Sequence, residues 1–149
     1  MIKNKKITHK IDTLFPLLKE SLRQEKDIIF AYIFGSYSIG KVSPLSDIDI
    51  AVYLGKVKLK EIFERKQELN NLVASILKTD EIDLIILNEA PLPLIHQVLK
   101  TGCLLFSKDE KERIAFAVRA QKFYLDAEPL RKIAWSALKR RLKDGKFGY

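Results

Sequence analysis

Residues 35–49 read GSYSIGKVSPLSDID, and the interpretation of the whole chain starts from this stretch. Gly35 and Ser36 follow an apolar run, residues 28–34 (IIFAYIF), whose β-branched and aromatic residues are typical of a buried strand. Glycine adopts backbone angles that other residues avoid, and it lets a phosphate approach the main chain. Ser36 supplies a hydroxyl and can cap a short helical turn, whose free N–H groups attract phosphate oxygens. The Gly-Ser pair therefore indicates a phosphate-binding turn at the end of a strand.

Two aspartates open the next predicted strand. Asp47 and Asp49 begin the segment DIDIAVYL, residues 47–54, and side chains alternate faces along a strand. Both carboxylates therefore project to one face, with Cα atoms about 6.5–7 Å apart, while the isoleucines between and after them project into a core. Two carboxylates on one face repel each other unless a cation lies between them. Their hard oxygen atoms suit Mg²⁺ or Mn²⁺.

A third acid, Asp83, interrupts the apolar run IDLIIL, residues 82–87. The run predicts another buried strand, in which an isolated charge is costly. If this strand lies beside the strand that carries Asp47 and Asp49, three carboxylates converge. That arrangement favours a two-metal site, with ions about 3.5–4 Å apart that clamp an in-line phosphoryl displacement.

These residues resemble the signature of the nucleotidyltransferases of the DNA polymerase β superfamily, which is Gly-Ser, ten residues and Asp-x-Asp. The match is Gly35-Ser36, then Tyr37 to Ser46, then Asp47-Ile48-Asp49. The short chain is most similar to the minimal nucleotidyltransferases, or MNT proteins. Many of these are antitoxins encoded beside a HEPN-domain ribonuclease toxin.

The resemblance implies an α/β (α+β) fold with a polymerase β-like palm, in which helices flank a small mixed sheet. It covers a core of about residues 10–106, and a helical tail of about residues 108–145 follows in the same single domain, residues 1–149. We expect the chain to bind a HEPN toxin as its partner.

The resemblance also implies a reaction. Asp47 and Asp49 are expected to bind Mg²⁺ (or Mn²⁺) and, with it, the triphosphate of ATP, while Gly35 and Ser36 hold the β- and γ-phosphates. Asp83 either holds a second metal ion or accepts the proton of the attacking hydroxyl. AMP from ATP would then pass to a tyrosine hydroxyl of the toxin and block RNA cleavage. The three aspartates are the predicted catalytic and metal-binding residues.

Two other functions remain open. The first is a small-molecule nucleotidyltransferase of the aminoglycoside type, although those enzymes usually carry a larger helical domain than this tail. The second is a catalytically weak antitoxin that neutralises its toxin by binding alone. Ile39 favours it, because the family often has a basic residue three places after the serine; Lys41 is the nearest cation.

Composition narrows the class of protein. A chain of 149 residues with 47% hydrophobic residues can bury a core, and no apolar run approaches the ~20 residues that span a bilayer. Residues 1–10 are basic but lack the apolar stretch of a signal peptide, and Cys103 is the single cysteine. A cytoplasmic protein without a disulfide is therefore expected. The net charge of +8 suits an acidic partner or a solvated surface. Direct binding of nucleic acid is not expected, since no zinc-finger or RNA-binding motif is present.

Periodicity predicts the surrounding elements. Helices are predicted over residues 10–26, 58–78 and 91–100, and an edge strand is predicted over residues 103–106. Cys103 is interpreted as a small core residue, and His96 as a packed or surface histidine, because no second histidine or cysteine lies near it.

The tail is predicted to be helical from Lys108. Pro129 either kinks this helix or begins another at its first turn. Phe123, Tyr124 and Trp135 either join the core or face a partner. With no further domain to cover them, a partner interface is favoured.

Overall fold

The computed structural model describes residues 14–35 and 48–143. Within these ranges the chain forms five helices and four strands. In chain order they are α1 (residues 14–23), β1 (Ile28–Phe34), β2 (Ile48–Leu54), α2 (Leu59–Leu77), β3 (Ile82–Ile86), α3 (Leu92–Thr101), β4 (Cys103–Ser107), α4 (Glu110–Asp126) and α5 (Glu128–Lys143). No helix in the described part of the chain is long and apolar enough to cross a membrane.

The four strands form one mixed sheet in the order β3-β2-β1-β4. β1 runs antiparallel to both β2 and β4, whereas β2 and β3 run parallel. β1 lies inside the sheet and is buried at six of its seven residues, as expected of a strand that is covered on both faces. The predicted mixed sheet with flanking helices is confirmed.

Each face of the sheet carries its own hydrophobic core. Ile48, Ile50 and Val52 of β2 project to the face that α1 and α2 cover. Ala51 projects to the opposite face, where Ile95 of α3 and other residues of α3 and α4 pack. The predicted alternation along β2 therefore holds for the described part of that strand.

The structure decides two predictions about single residues, Cys103 and Pro129. Cys103 is exposed, so its interpretation as a core residue is wrong. It is the first residue of an edge strand, in which only Phe106 is buried. Pro129 is the second residue of α5 and therefore begins a new helix at its first turn.

The C-terminal helices differ in how they pack. α4 buries Phe116 and Ala120 against the sheet, whereas α5 buries none of its residues in the described part of the chain. Phe123 and Trp135 are exposed. They are therefore not part of the core.

A cluster of ionic groups joins α2 to the turn before β1. Arg65 donates from Nε and Nη2 to the two carboxylate oxygens of Asp27, both at 2.7 Å, and from Nη2 to Glu25 at 3.1 Å. The side chains of Arg65 and Asp27 are only 21% and 32% exposed. The hydrogen bond from Arg65 lowers the pKa of Asp27 below its ordinary value of 3.8. This paired geometry holds α2 to the residues that lead into β1.

We predict that Arg65→Met lowers the free energy of unfolding by about 1–2 kcal/mol, because it leaves the half-buried Asp27 without its charged donor. The folded-state pKa of Asp27 is lowered, so the stabilisation is complete above about pH 4 and is lost as the pH falls through the folded-state pKa. Urea unfolding at pH 7 and pH 3 measures both effects.

The matched control is Lys132→Met, which removes an ion pair to Glu128 whose lysine is 75% exposed. We expect a change of less than about 0.5 kcal/mol there. An equal loss in both variants, or a loss at Arg65 that persists unchanged at pH 3, would contradict the assignment.

Candidate functional site

The register of the parallel strands sets Asp49 opposite Asp83. Their Cα atoms are partners in the β2–β3 ladder, and adjacent strands lie about 4.8 Å apart. The next same-face pair in that ladder is Ala51 with Ile85, and both belong to the core under α3 and α4. The two carboxylates therefore project from neighbouring strands to the same face, as the sequence predicts for adjacent strands.

The pairing of β2 with β3 is fixed at both ends. At the first residue of β2, the N–H of Ile48 donates to the carbonyl of Glu81, which precedes β3, at 3.0 Å. At the last residue of β2, the N–H of Leu54 donates to the side-chain amide of Asn88 at 2.8 Å, and that amide donates to the Leu54 carbonyl at 2.7 Å. Asn88 thus prolongs the hydrogen-bond ladder with a side chain. The sequence analysis did not single out Asn88. The one feature that could have pointed to it is a side-chain amide directly after the apolar run 82–87, where it can bond the main chain of a neighbouring strand.

Gly35 lies against the carboxylate of Asp49. Phe34, the last residue of β1, is the antiparallel partner of Asp49, and Gly35 follows it with a φ of +76°. A Cβ atom at Gly35 would collide with Oδ2 of Asp49 and would lie 3.2 Å from its Cγ. Only glycine therefore fits this turn without strain.

The surroundings of Asp83 differ from the prediction. The sequence predicted a charge inside a buried strand, but Asp83 is exposed, and the run 82–87 is buried only from Leu84 onward. Asp83 is the second residue of an edge strand. No desolvation penalty has to be offset there, so the prediction of a buried charge was wrong, although β3 does lie beside β2.

Ser36 and Asp47 lie outside the described residues, as do Ile39 and Lys41. Of the predicted site residues, the structure therefore places Gly35, Asp49 and Asp83. Among the described residues no group of three histidine, cysteine or acidic side chains is arranged to hold a metal ion.

A cation on α4 contacts the same face of the sheet. Arg113 donates to the hydroxyl of Tyr32 at 3.3 Å, and its Nη2 donates to Glu110 at 2.8 Å. Because Arg113 lies beside it, the pKa of Glu110 falls to about 2. Tyr32 is buried in β1, so this contact fixes the beginning of α4 over the face to which the two aspartates project.

His96 is a packed residue, as the sequence analysis favoured. Its ring stacks on Tyr124 of α4 with a centroid distance of 3.8 Å and an interplanar angle of 2°. Leu99, Lys100 and Ala117 border a cavity beside it of about 300 Å³. The contact joins α3 to α4.

Comparison with known proteins adds a family and a set of relatives. A family model described as polymerase beta nucleotidyltransferase matches residues 17–111. The protein adenylyltransferase MntA of Shewanella oneidensis is 39% identical to this chain over 93 residues. That alignment covers 62% of the chain and 63% of MntA, so the chain matches less than two thirds of this relative's length.

Solved structures are similar over more of the chain. A chain of a toxin–antitoxin complex with AMP-PNP has a TM-score of 0.66 at 27% identity, and the match covers 88% of this chain and 97% of that one. A chain of a tri-AMPylated Shewanella oneidensis HEPN toxin in complex with an MNT antitoxin has a TM-score of 0.58 at 26% identity. That match covers 91% of this chain and 98% of the solved one.

We predict that Gly35→Ala lowers the free energy of unfolding by about 1–2 kcal/mol, because alanine is strained at a positive φ and its methyl group displaces the Asp49 carboxylate. Urea unfolding measures the loss. Gly55→Ala is the control, since the φ of Gly55 is not positive and its added Cβ would lie 3.1 Å from the Cδ1 atom of Ile29, a side chain that can shift, and 4.0 Å from the nearest backbone atom, the carbonyl oxygen of Asp27. Equal stability of the two variants would contradict the account of Gly35.

Proposed function

This chain belongs to the polymerase beta nucleotidyltransferase family, and we propose that it transfers AMP from ATP to a hydroxyl group. The observation that carries the proposal is the register of β2 and β3, which sets Asp49 opposite Asp83 on a face that begins beside Gly35. Adenylyl transfer is supported by a relative named protein adenylyltransferase and by a solved complex that contains AMP-PNP.

The donor atoms on this face fit a hard divalent cation. Asp49 and Asp83 offer carboxylate oxygens from partner positions of the ladder, which are the ligands that Mg²⁺ and Mn²⁺ prefer. With Asp47, they would hold Mg²⁺ or Mn²⁺ here. Such an ion supplies positive charge that offsets the developing charge on the α-phosphate and the leaving pyrophosphate.

The remaining work of the site is positioning. Gly35 has no side chain to obstruct the space beside Asp49, and Ser36 with its backbone is proposed to hold the β- and γ-phosphates. The acceptor oxygen attacks the α-phosphorus in line, the bond to pyrophosphate breaks, and the proton of the acceptor passes to a carboxylate. Asp83 is the proposed recipient of this proton, because it is exposed on an edge strand that a hydroxyl group of another protein can approach.

The proposed acceptor is a tyrosine hydroxyl of a HEPN-domain toxin, which makes this chain an antitoxin. Support comes from the similar chain solved with a tri-AMPylated HEPN toxin. Modification of the toxin would block its cleavage of RNA. The proposal places the reaction in the cytoplasm, where ATP and RNA are available.

We predict that Asp49→Asn and Asp83→Asn each reduce AMP transfer at least about a hundredfold, because each weakens the proposed binding of the divalent ion that offsets charge on the reacting phosphate. The measurement is the intact mass of a cognate HEPN-domain toxin after incubation with this chain, ATP and Mg²⁺. Wild type is expected to add the mass of AMP.

The matched control is Asp80→Asn. Asp80 is an exposed acid three positions before Asp83, and it precedes the strand. The Asp80→Asn variant should transfer AMP like wild type. All three variants should unfold at the wild-type temperature. Wild-type transfer by Asp49→Asn would refute the proposed site, whereas no transfer by wild type to that protein would refute the proposed acceptor.

A further inference from the structure

The last described helix, α5, carries an apolar stripe that no other described part of the chain covers. Leu130, Ile133 and Leu142 are 70%, 66% and 53% exposed, and none of the α5 residues is buried. Ala134, Ala137 and Leu138 continue the same helical spacing, so the stripe lies along one side of the helix for about 18 Å. An exposed apolar surface of this kind is typical of a protein–protein contact.

The N-terminal end of α5, which is called its base below, contacts the rest of the fold through Arg131. The guanidinium carbon of Arg131 lies 3.8 Å from the ring centroid of Tyr124, and Nη1 of Arg131 donates to the Tyr124 carbonyl at 2.8 Å. His96 stacks on the same ring, also at 3.8 Å. Two groups this close to one centroid must lie on opposite faces of the ring. The stack therefore connects α5 to α4 and α3, which cover the sheet face that carries Asp49 and Asp83.

The positive charge of α5 favours an acidic surface as the partner of the stripe. α5 carries six basic residues and one acidic residue, and four of the cations, Lys139, Arg140, Arg141 and Lys143, lie in its last turns. The whole chain has a net charge of +8. Packing α5 against α5 of a second copy would bring like charges together, whereas an acidic surface with apolar residues complements both features.

The similarity to solved chains extends beyond the segment that the family model matches. A match over 88% of the 149 residues is longer than residues 1–111, so it includes part of the chain after residue 111. It also covers 97% of a chain from a toxin–antitoxin complex. A chain that is similar beyond residue 111 has therefore been solved as part of such a complex.

We propose that the apolar stripe of α5 is the docking surface for an acidic, apolar helical face of the HEPN-domain partner. The identity of that partner rests on the proposed function. Docking on α5 and transfer at Asp49 and Asp83 then use separate surfaces, and the base of α5 sets how the bound partner is presented to the site.

The test compares Leu130→Glu with Ser136→Glu. Both add one negative charge at an exposed position of α5, but only Leu130 lies on the stripe. We expect Leu130→Glu to weaken the Kd for the HEPN-domain protein at least about tenfold and to raise its KM in AMP transfer while kcat is kept. Ser136→Glu should match wild type in both measurements, and circular dichroism should show equal helix content in all three proteins.

Asp49→Asn separates this proposal from the proposed function, because it should bind the partner like wild type and transfer nothing. If wild type binds the HEPN-domain protein and Leu130→Glu binds it equally well, the docking surface is refuted while the proposed function stands. If wild type binds the partner and Ser136→Glu weakens that binding as strongly as Leu130→Glu does, the stripe is not the contact. If the stripe instead drives self-association, or binding to anionic lipid vesicles or RNA, in place of the partner, the proposed occupant is refuted.

Discussion

The parallel pairing of β2 with β3 is the constraint on which the rest depends. A slip of one residue in this ladder would turn Asp83 to the opposite face, away from Asp49. Hydrogen bonds at both ends of the pair oppose such a slip: the N–H of Ile48 donates to the Glu81 carbonyl at one end, and the Asn88 side chain bonds the main chain of Leu54 at the other. The chemistry proposed for the aspartates is therefore secured by hydrogen bonds that lie outside the site itself.

The two faces of the sheet have different roles: one carries a hydrophobic core, and the other carries a core together with the paired aspartates. Ile48, Ile50 and Val52 of β2 pack into the core under α1 and α2. Because side chains alternate along the strand, Asp49 projects to the other face. On that other face, α3 and α4 provide a second core and, through the stacked ring of Tyr124, a fixed base for α5. A single side of the sheet thus carries both the paired acids and the helices that lead to the exposed stripe.

Local patterns in the sequence predicted what local physics determines. The apolar run of β1, the alternation along β2 and the helical spacing of α2 each specify an element without reference to the rest of the chain. Contacts between distant residues were not predictable in this way: Arg65 meets Asp27 across 38 positions, and Asn88 meets Leu54 across 34. The error at Asp83 has the same origin, because its position on an edge strand of the sheet decides its exposure. The error at Cys103 differs: its strand was predicted to be an edge strand, but Cys103 is the first residue of that strand and only Phe106 is buried. The nucleotide-binding roles of Gly35 and Ser36 and the catalytic and metal-binding roles of Asp47, Asp49 and Asp83 stay predictions.

The measurement that tests the central claim most directly is an anomalous-scattering map from crystals grown with Mn²⁺ and a non-hydrolysable ATP analogue. The account predicts a manganese peak in contact with the carboxylates of Asp49 and Asp83 and with the triphosphate. A nucleotide bound elsewhere, or a manganese peak that neither of these carboxylates touches, would contradict it.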